Sequence, residues 1–374
     1  MLLMIPSNRQ VYFSLLYAGL WEQPVQLSGM GEVDFDGLFR VAEEQSVVGL
    51  VAAGLEHVVD RKITKPEALP FMKQVFAVET RNADMNRFVA DLFNKLREAG
   101  IQAVLLKGQG IAQCYERPQW RAAGDVDLLL DAENYEKAKS FLTPLASSVD
   151  KEAVEYKHFG ITIDSWKVEL HGTLHGHISK VADAVVDQVQ EEMMSQGASR
   201  IWKNGETDIP LPAPDSDVVF IFSHILQHFF HGGIGLRQIC DWVRLLWTYR
   251  DSIDRNLLEF RIQEMRLMTE WKAFAALAVD YLGMPTEAMP FYDSSDRWKR
   301  KAHQISAFIL RVGNFGHNRD SSIYSRYPYL VYKAISFGRH VGDFFEQILI
   351  FPLDSLRAFE KMITGGMKAV ARGM

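Results

Sequence analysis

Two carboxylates one residue apart give the clearest chemical signal in the sequence. Asp125 and Asp127 lie in the segment GDVDLLL, in which an apolar run follows the pair. Residues two apart in a β-strand project from the same face, so both side chains should point together. Adjacent anions on a buried strand need compensating positive charge, and hard divalent cations such as Mg²⁺ bind carboxylate oxygens. The spacing therefore predicts a metal site, with a solvated strand end as the plainer interpretation.

A turn before this strand carries residues suited to phosphate. Lys107 and Gly108 follow the apolar segment VLL. Backbone amides in such a turn can hold a phosphate, and the lysine can neutralise its charge. An ordinary strand-to-helix turn is the alternative. Arg121 lies four residues before Asp125, and its planar guanidinium suits a triphosphate, the aspartates or a structural ion pair.

A third carboxylate is expected on a neighbouring strand. Glu169 lies in the segment VELH, where strand alternation places it on the face opposite Val168 and Leu170. There it can complete a metal site or act as a base, unless it is simply a charged residue at a strand edge. His171 lies on the same face of the strand. It can hydrogen-bond to the metal-binding carboxylates without contacting the metal itself.

The apolar periodicity predicts the elements that must position these residues. Helical spacing dominates the N-terminal region, and a long helix over 67–99 should end at Gly100 and pack on a sheet. Strands are predicted at 101–106, 126–130, 154–163 and 167–170, with the last two joined near Asp164-Ser165. A hairpin is predicted around Asn204-Gly205 because that dipeptide favours a two-residue turn.

These elements indicate an α+β protein with three parts. We expect an N-terminal helical region over 1–98, an α/β core over 99–212 with a small mixed β-sheet and flanking helices, and a large C-terminal helical domain over 213–374. The last boundary rests on the change to almost continuous helical pattern after Pro212. A ligand should bind in the cleft between the sheet and the C-terminal helical domain.

The pattern LLKG…R..GDVDLLL resembles the uncharacterised nucleotidyltransferase family, a branch of the DNA polymerase beta-like nucleotidyltransferase superfamily. Two further pieces agree, VELH and LPAPDSDVVFIFSHILQHFFHGGIGLRQICDWVRLL, so the resemblance extends from about residue 102 to 246. The chain departs from the pattern twice. Gln109 stands where the superfamily has a phosphate-contacting serine, and Glu169 stands where the family usually has aspartate.

The resemblance implies a fold and an activity. It implies transfer of a nucleoside monophosphate from an NTP, such as ATP, to a hydroxyl of a small molecule, protein or RNA, with two Mg²⁺ ions, or Mn²⁺, as cofactor. The residues assigned to catalysis and metal binding are Asp125, Asp127 and Glu169, and those assigned to the nucleotide are Lys107, Gly108, Gln109 and Arg121. Three alternatives stay open: a catalytically silent nucleotide- or protein-binding scaffold, a D-x-D metal-dependent glycosyltransferase, and a toxin-like or antitoxin-like modifier of protein or RNA.

A histidine-bearing helix lies near the predicted site. His224, His228 and His231 share one helical face, which predicts either a zinc site or a polar seam between packed helices. Asp241 on the next helix could complete such a site or pair with Arg237. His171, His228, Arg237 and Asp241 are therefore taken as adjacent to the active site.

Composition limits the partners. The chain has 41 Lys and Arg against 47 Asp and Glu, a formal net charge of −6, which argues against broad nucleic-acid binding. Two cysteines exclude a disulfide framework and a thiolate zinc site. The apolar-first N-terminus lacks the order of a secretory signal and no run could span a bilayer, so we expect a cytoplasmic protein. The basic C-terminal segment predicts a solvated terminus, with a membrane-surface helix as the alternative.

Overall fold

The computed structural model describes residues 6–154, 157–195, 199–314 and 329–360. Part of the strand predicted over 154–163 lies outside these ranges. The basic C-terminal segment 361–374 also lies outside the described residues, so its two interpretations stay predictions.

A five-stranded mixed sheet forms the centre of the α/β part. Its strands are β1 (Val104–Leu106), β2 (Val126–Leu129), β3 (Ser148–Val149), β4 (His158–Ile163) and β5 (Trp166–His171). The order across the sheet is β1-β2-β5-β4-β3, in which only the β2–β5 pair is parallel. The predicted strands are present, but β1 begins later than predicted and the two-residue β3 was not predicted. The short β3 is exposed and lacks the apolar alternation that marks a strand.

Helices surround this sheet and make up most of the rest of the described chain. They are α1 (Pro6–Trp21), α2 (Phe35–Glu44), α3 (Val48–Glu56), α4 (Lys65–Glu98), α5 (Gly108–Ala112), α6 (Ala132–Leu142), α7 (Lys180–Met194), α8 (Pro214–His231), α9 (Leu236–Thr248), α10 (Arg255–Glu264), α11 (Met268–Asp280), α12 (Asp296–Val312), Tyr329–Ile350 and 352–360. The predicted α+β class is confirmed. In the described part of the chain, no helix combines the length and apolar character needed to cross a bilayer.

A separate hairpin flanks the sheet. It consists of β6 (Ser199–Asn204) and β7 (Thr207–Pro212), and Gly205 in its turn has a φ of 62°, which suits glycine. The hairpin predicted around Asn204-Gly205 is therefore present. It packs beside β1 and α4 and adds apolar side chains to the core under the sheet.

One face of the sheet is buried against α4 and α6. The strand residues in this layer alternate with those of the opposite face, and they are Leu105, Val126, Leu128, Leu130, Phe159, Ile161, Val168 and Leu170. The long helix α4 begins with a capping box between Thr64 and Glu67, and Asp131 caps α6. The prediction that the long helix packs on the sheet is correct.

The opposite face of the sheet looks towards the C-terminal helices. Val104, Leu106 and Leu129 join the main hydrophobic core together with residues of α8 and α9. Because alternation sends neighbouring residues to opposite faces, the polar residues of β2 and β5 that share this face lie between the sheet and the helices. The domain boundaries given above stay predictions.

A buried pair of acids joins α11 to the last described helix. Glu270 is 3% exposed and Asp354 is 6% exposed. Burial, and then the negative charge of Asp354, raise the pKa of Glu270 to about 8, although Lys301 opposes the shift. The carboxyl group is therefore protonated in the folded protein at neutral pH and shares its proton with Asp354.

Replacing Glu270 by Gln should remove a pH-dependent loss of stability. In the wild type, the folded state keeps a proton that the unfolded chain releases above its ordinary pKa, so stability falls as pH rises from about 4.5 to about 8. We expect E270Q to unfold like the wild type at pH 5 and to be more stable at pH 8.5 by on the order of 3 kcal/mol. Urea denaturation at the two pH values measures this. E264Q, at an exposed residue of α10, is the control; equal pH profiles for wild type and E270Q would contradict the expectation.

Candidate active site

The strand register places two of the predicted carboxylates side by side. Asp127 in β2 is the direct Cα partner of Glu169 in β5 across the parallel pair. Their apolar neighbours Val168 and Leu170 are fully buried on the other face. Both acids therefore point into the space between the sheet and the C-terminal helices, which agrees with the alternation predicted for VELH.

Asp127 is the most strongly held of the three acids. Its Oδ1 lies 3.0 Å from Lys107 Nζ and 2.9 Å from His171 Nε2. Burial raises the pKa of Asp127, but the positive charge of Lys107 and the hydrogen bond with His171 outweigh it and hold the pKa well below its usual range. Asp127 is thus an ionised carboxylate that is only 7% exposed.

Glu169 has its own set of basic partners. Its Oε1 accepts from Lys167 Nζ at 2.9 Å, and its Oε2 lies 3.2 Å from His158 Nε2. Burial raises the pKa of Glu169, but the hydrogen bond with His158 and the other basic partners lower it overall. Glu169 is therefore also ionised, and it carries its charge next to Asp127.

Asp125 has a different environment from the other two acids. It lies immediately before β2 and is exposed. Desolvation and then the negative charges of Glu169 and Asp127 raise the pKa of Asp125. Desolvation is the largest cause, and the nearby Glu169 and Asp127 carboxylates add negative potential at this end of the strand, where a cation would be stabilised.

The Lys107-Gly108 turn folds against the start of β2. Both residues have positive φ, 48° for Lys107 and 41° for Gly108, and a Cβ on Gly108 would lie 3.4 Å from the Asp125 carbonyl oxygen. A lysine in this region is strained, which is common where a functional group must be held in place. The turn directs the Lys107 ammonium towards Asp127 and to 3.5 Å from His224 Nε2.

Gln109 turns away from the acids. Its amide donates to Asn86 Oδ1 at 2.7 Å, on α4, and its side chain is buried. The position that holds a phosphate-contacting serine in the superfamily therefore carries a side chain packed on the long helix. Its backbone still belongs to the turn after β1.

Arg121 forms a buried ion pair with Asp241 of α9. Its Nε and Nη2 each lie 2.7 Å from a carboxylate oxygen, and Tyr115 donates to the same carboxylate at 2.7 Å. Of the interpretations given for Arg121, the structural ion pair is the one the geometry favours. The partner of Asp241 is therefore Arg121 and not Arg237, which the sequence had suggested. The pair fastens the segment before β2 to the helical part.

Arg237 lies at the edge of the acidic site without a carboxylate of its own. Its Nη1 donates to the Ala122 carbonyl at 2.8 Å, and its buried Nε has no hydrogen-bond partner within the described chain. A Cβ on Gly124 would lie 4.0 Å from Nη1. Burial, and then repulsion from Arg121, lower the pKa of Arg237. A guanidinium with spare donors beside Asp125 is suited to an anionic ligand.

The histidines of α8 divide between two environments. His224 and His228 approach each other at 3.1 Å between Nε2 atoms beside Lys107, while His231 Nδ1 contacts the Gln227 carbonyl. Burial and the charge of Lys107 lower the pKa of both His224 and His228, so these rings are neutral. Groups of His, Cys, Asp and Glu close enough to share an ion occur elsewhere in the described chain, and none includes these three histidines. The polar seam is therefore the better interpretation.

A family model described as an uncharacterised nucleotidyltransferase matches residues 31–283. The chain belongs to this family. The match includes the acidic strand and extends over α2 to α4 on one side and to α11 on the other, beyond the motifs in the sequence. No curated protein and no solved structure matches at a significant level. The matched region therefore contains the sheet and helices on both of its faces.

Two further residues at the site of this nucleotidyltransferase were not singled out from the sequence. They are His158 and Lys167, which both contact Glu169. The signal was available, because the predicted turn at Asp164-Ser165 fixes the antiparallel register. In that register Ile163 faces Trp166 and His158 faces His171, as the structure has them. Counting back from the turn places a second histidine beside Glu169.

Proposed function

We propose that this protein is a Mg²⁺-dependent nucleotidyltransferase that transfers a nucleoside monophosphate from an NTP to a hydroxyl group. The acceptor would be a small molecule, a protein or an RNA. Membership in the nucleotidyltransferase family supports the general class of reaction. The proposal adds the metal, the acceptor chemistry and the residue roles.

The observation that carries the proposal is the pairing of Asp127 with Glu169 in the sheet register, with Asp125 at the start of the same strand. Asp127 and Glu169 lie next to each other between the buried sheet and the helices, and after desolvation their negative charges contribute to the raised pKa of Asp125. The groups of His, Cys, Asp and Glu in the described chain that are close enough to share an ion do not include these three acids together, so holding one ion would require their side chains to move closer.

The donor set fits the proposed metal. Asp125, Asp127 and Glu169 would hold Mg²⁺, as two ions or with Mn²⁺ as a substitute, because hard cations bind carboxylate oxygens. When bound, the metal would neutralise phosphate charge and orient the reacting oxygens.

The side chains around the acids have distinct proposed roles. Lys107 and Arg237 would bind the triphosphate, since both are cations next to the acids and Arg237 has an unpartnered donor. The Lys107-Gly108 turn would add backbone amides. Arg121 would hold the strand in place through Asp241.

The proposed reaction forms one bond at phosphorus and breaks another. The acceptor oxygen forms a bond to the α-phosphorus, the bond between that phosphorus and the bridging oxygen breaks, and pyrophosphate leaves. The hydroxyl proton passes to a carboxylate of the site, for which Glu169, the register partner of Asp127, is the candidate.

Transfer of label from α-³²P-labelled nucleotides tests the proposal. The full chain is incubated with each NTP, Mg²⁺ and cell lysate, beside a variant carrying Asp125→Ala and Asp127→Ala. We expect a labelled acceptor with the wild type alone. Equal label from the double variant would remove these two residues from catalysis.

One observation favours a second candidate, a nucleotide-binding protein without catalysis. Lys107 and Lys167 already pair with Asp127 and Glu169, so a metal must compete with internal cations. Lys167 is 44% exposed and can move away, but Lys107 is 17% exposed. NTP binding by calorimetry without label transfer to any acceptor would favour this candidate.

Arg237 provides a separate test of nucleotide binding. Arg237→Met removes the guanidinium but keeps most of the aliphatic stem. We expect about tenfold weaker binding of an NTP, which corresponds to the loss of one charge-assisted hydrogen bond. Calorimetry with a non-hydrolysable NTP analogue measures it. Arg250→Met, at a partly exposed arginine stacked on Trp247, is the matched control. Unchanged affinity in R237M would contradict this role.

A further inference from the structure

Two histidines converge on the carboxylate of Glu169. His158 Nε2 lies 3.2 Å from Glu169 Oε2, and His171 Nε2 lies 3.8 Å from the same oxygen. One ligand atom from each of the three side chains lies within 4.8 Å of the other two. Nitrogen donors of two side chains therefore share one carboxylate oxygen, at the edge of the acidic site.

The sheet fixes this arrangement. His158 and His171 are direct partners across β4 and β5, and Glu169 lies two residues from His171 on the same face. Antiparallel pairing holds such side chains next to each other independently of any ligand. The ring of His158 is 38% exposed, so the group is accessible from solvent, while Glu169 and His171 are mostly covered.

We infer that His158, Glu169 and His171 form a binding site for a divalent transition-metal ion of the zinc type. Two imidazoles and one glutamate are a donor set found in catalytic zinc sites. Bonds of the usual lengths, ~2.0–2.1 Å, place tetrahedral ligand atoms ~3.3–3.5 Å apart. The two nitrogen-to-oxygen separations lie close to this range.

The donor set separates this ion from Mg²⁺. Imidazole nitrogen is a good ligand for zinc and its neighbours, whereas Mg²⁺ takes oxygen ligands almost exclusively. Asp127 Oδ1, 2.9 Å from His171 Nε2, is close enough to connect the nitrogen-containing site with the carboxylate site. The transition-metal ion would thus bind beside the Mg²⁺ assigned to Asp125, Asp127 and Glu169, and Glu169 would be a ligand of both ions.

The plainer explanation is a pair of histidine–carboxylate hydrogen bonds. The hydrogen bond to Glu169 raises the pKa of His158, which keeps a proton between the two groups in the absence of metal. A metal ion replaces that proton when it binds, so the two explanations differ in whether zinc is held tightly at neutral pH. The role of this transition-metal ion in catalysis rests on the proposed function. The test of metal binding does not.

Zinc and cobalt titrations of the full chain test the site. All proteins carry His175→Gln and His177→Gln, because these residues and Asp183 form a second group that could take an ion. We expect this background to bind Zn²⁺ at least 100-fold more tightly than Mg²⁺. We also expect bound Co²⁺ to show the visible absorption of a site with nitrogen ligands.

His158→Gln, added to the background, should weaken Zn²⁺ binding at least tenfold and leave Mg²⁺ binding within twofold. His303→Gln, at an exposed histidine of α12, is the matched control and should leave both unchanged. Equal Zn²⁺ affinity with and without His158→Gln would overturn the site. Circular dichroism checks folding.

A measurement on the unmodified histidine pair covers the case in which H158Q fails to fold. Zinc titration of the background protein followed by NMR of the histidine ring protons should shift two rings at one equivalent of metal. The assignment would be contradicted if zinc shifted the signals of no histidine ring. It would also be contradicted if the shifts were lost only when His303 is replaced. These readouts do not depend on nucleotidyl transfer, so failure of the proposed function and failure of the metal site are distinguishable.

Discussion

Replacing Asp127 by Asn should lower nucleotidyl transfer by about 10³-fold, the scale lost when one preorganised electrostatic group is removed. Asp127 lies at the centre of the acidic site, between Lys107 and His171 and beside Glu169. The amide keeps the shape of the side chain but cannot hold a divalent cation as a carboxylate does. Initial rates of label transfer at saturating Mg²⁺ and NTP measure the effect.

Two controls separate catalysis from folding in this experiment. Asp208→Asn removes an acid that pairs with Lys203 on the exposed hairpin, and it should transfer label like the wild type. D127N also leaves Lys107 without its carboxylate, so urea denaturation must show that it is folded at the assay temperature. A folded D127N protein that keeps more than a tenth of the wild-type rate would contradict a catalytic role for Asp127.

Breaking the buried pair between Arg121 and Asp241 should destabilise the protein by about 3–5 kcal/mol, because the remaining charge is left unpaired in the interior. Both side chains are almost fully covered, at 4% and 8% exposure. Arg121→Met and Asp241→Leu should each show this loss. The free energy of unfolding from urea denaturation measures it, and Arg250→Met at the protein surface should change it little.

The double variant separates ion pairing from other effects of each substitution. Arg121→Met with Asp241→Leu removes both charges together, so its cost should be at least 2 kcal/mol less than the sum of the single variants. Tyr115 loses its acceptor in this variant, which leaves a residual cost. Additive losses would show that the two residues act independently. A folded R121M protein with tenfold weaker NTP binding would return Arg121 to the phosphate site.

Local sequence patterns were sufficient for the elements and for the acidic strand. Alternation of apolar and polar residues placed Glu169 opposite Val168 and Leu170, and the structure agrees. The Asn204-Gly205 turn was also predicted, because it depends on residues a few positions apart. The family resemblance agrees with the matched family model, although the matched region is longer than the quoted motifs.

The limits of local pattern are clearest at the ends of elements. The periodicity extended the first strand back to Ile101, but β1 begins at Val104. The run of apolar residues extends beyond the residues that pair with a neighbouring strand, because a residue can be buried without being paired in a sheet. Strand ends depend on which partner strand is present, and a single segment does not contain that information.

The sequence by itself determined that Asp125, Asp127 and Glu169 could share one site, because strand periodicity and family resemblance both act over short stretches of chain. The tertiary structure alone decided the partners of the charged residues. Arg121 pairs with Asp241, 120 positions away, and Lys107 lies between Asp127 and His224. The physical reason is that charge pairing depends on distance in space and on burial. Helix packing brings these residues together, and the local periodicity of the sequence does not indicate which residues will meet.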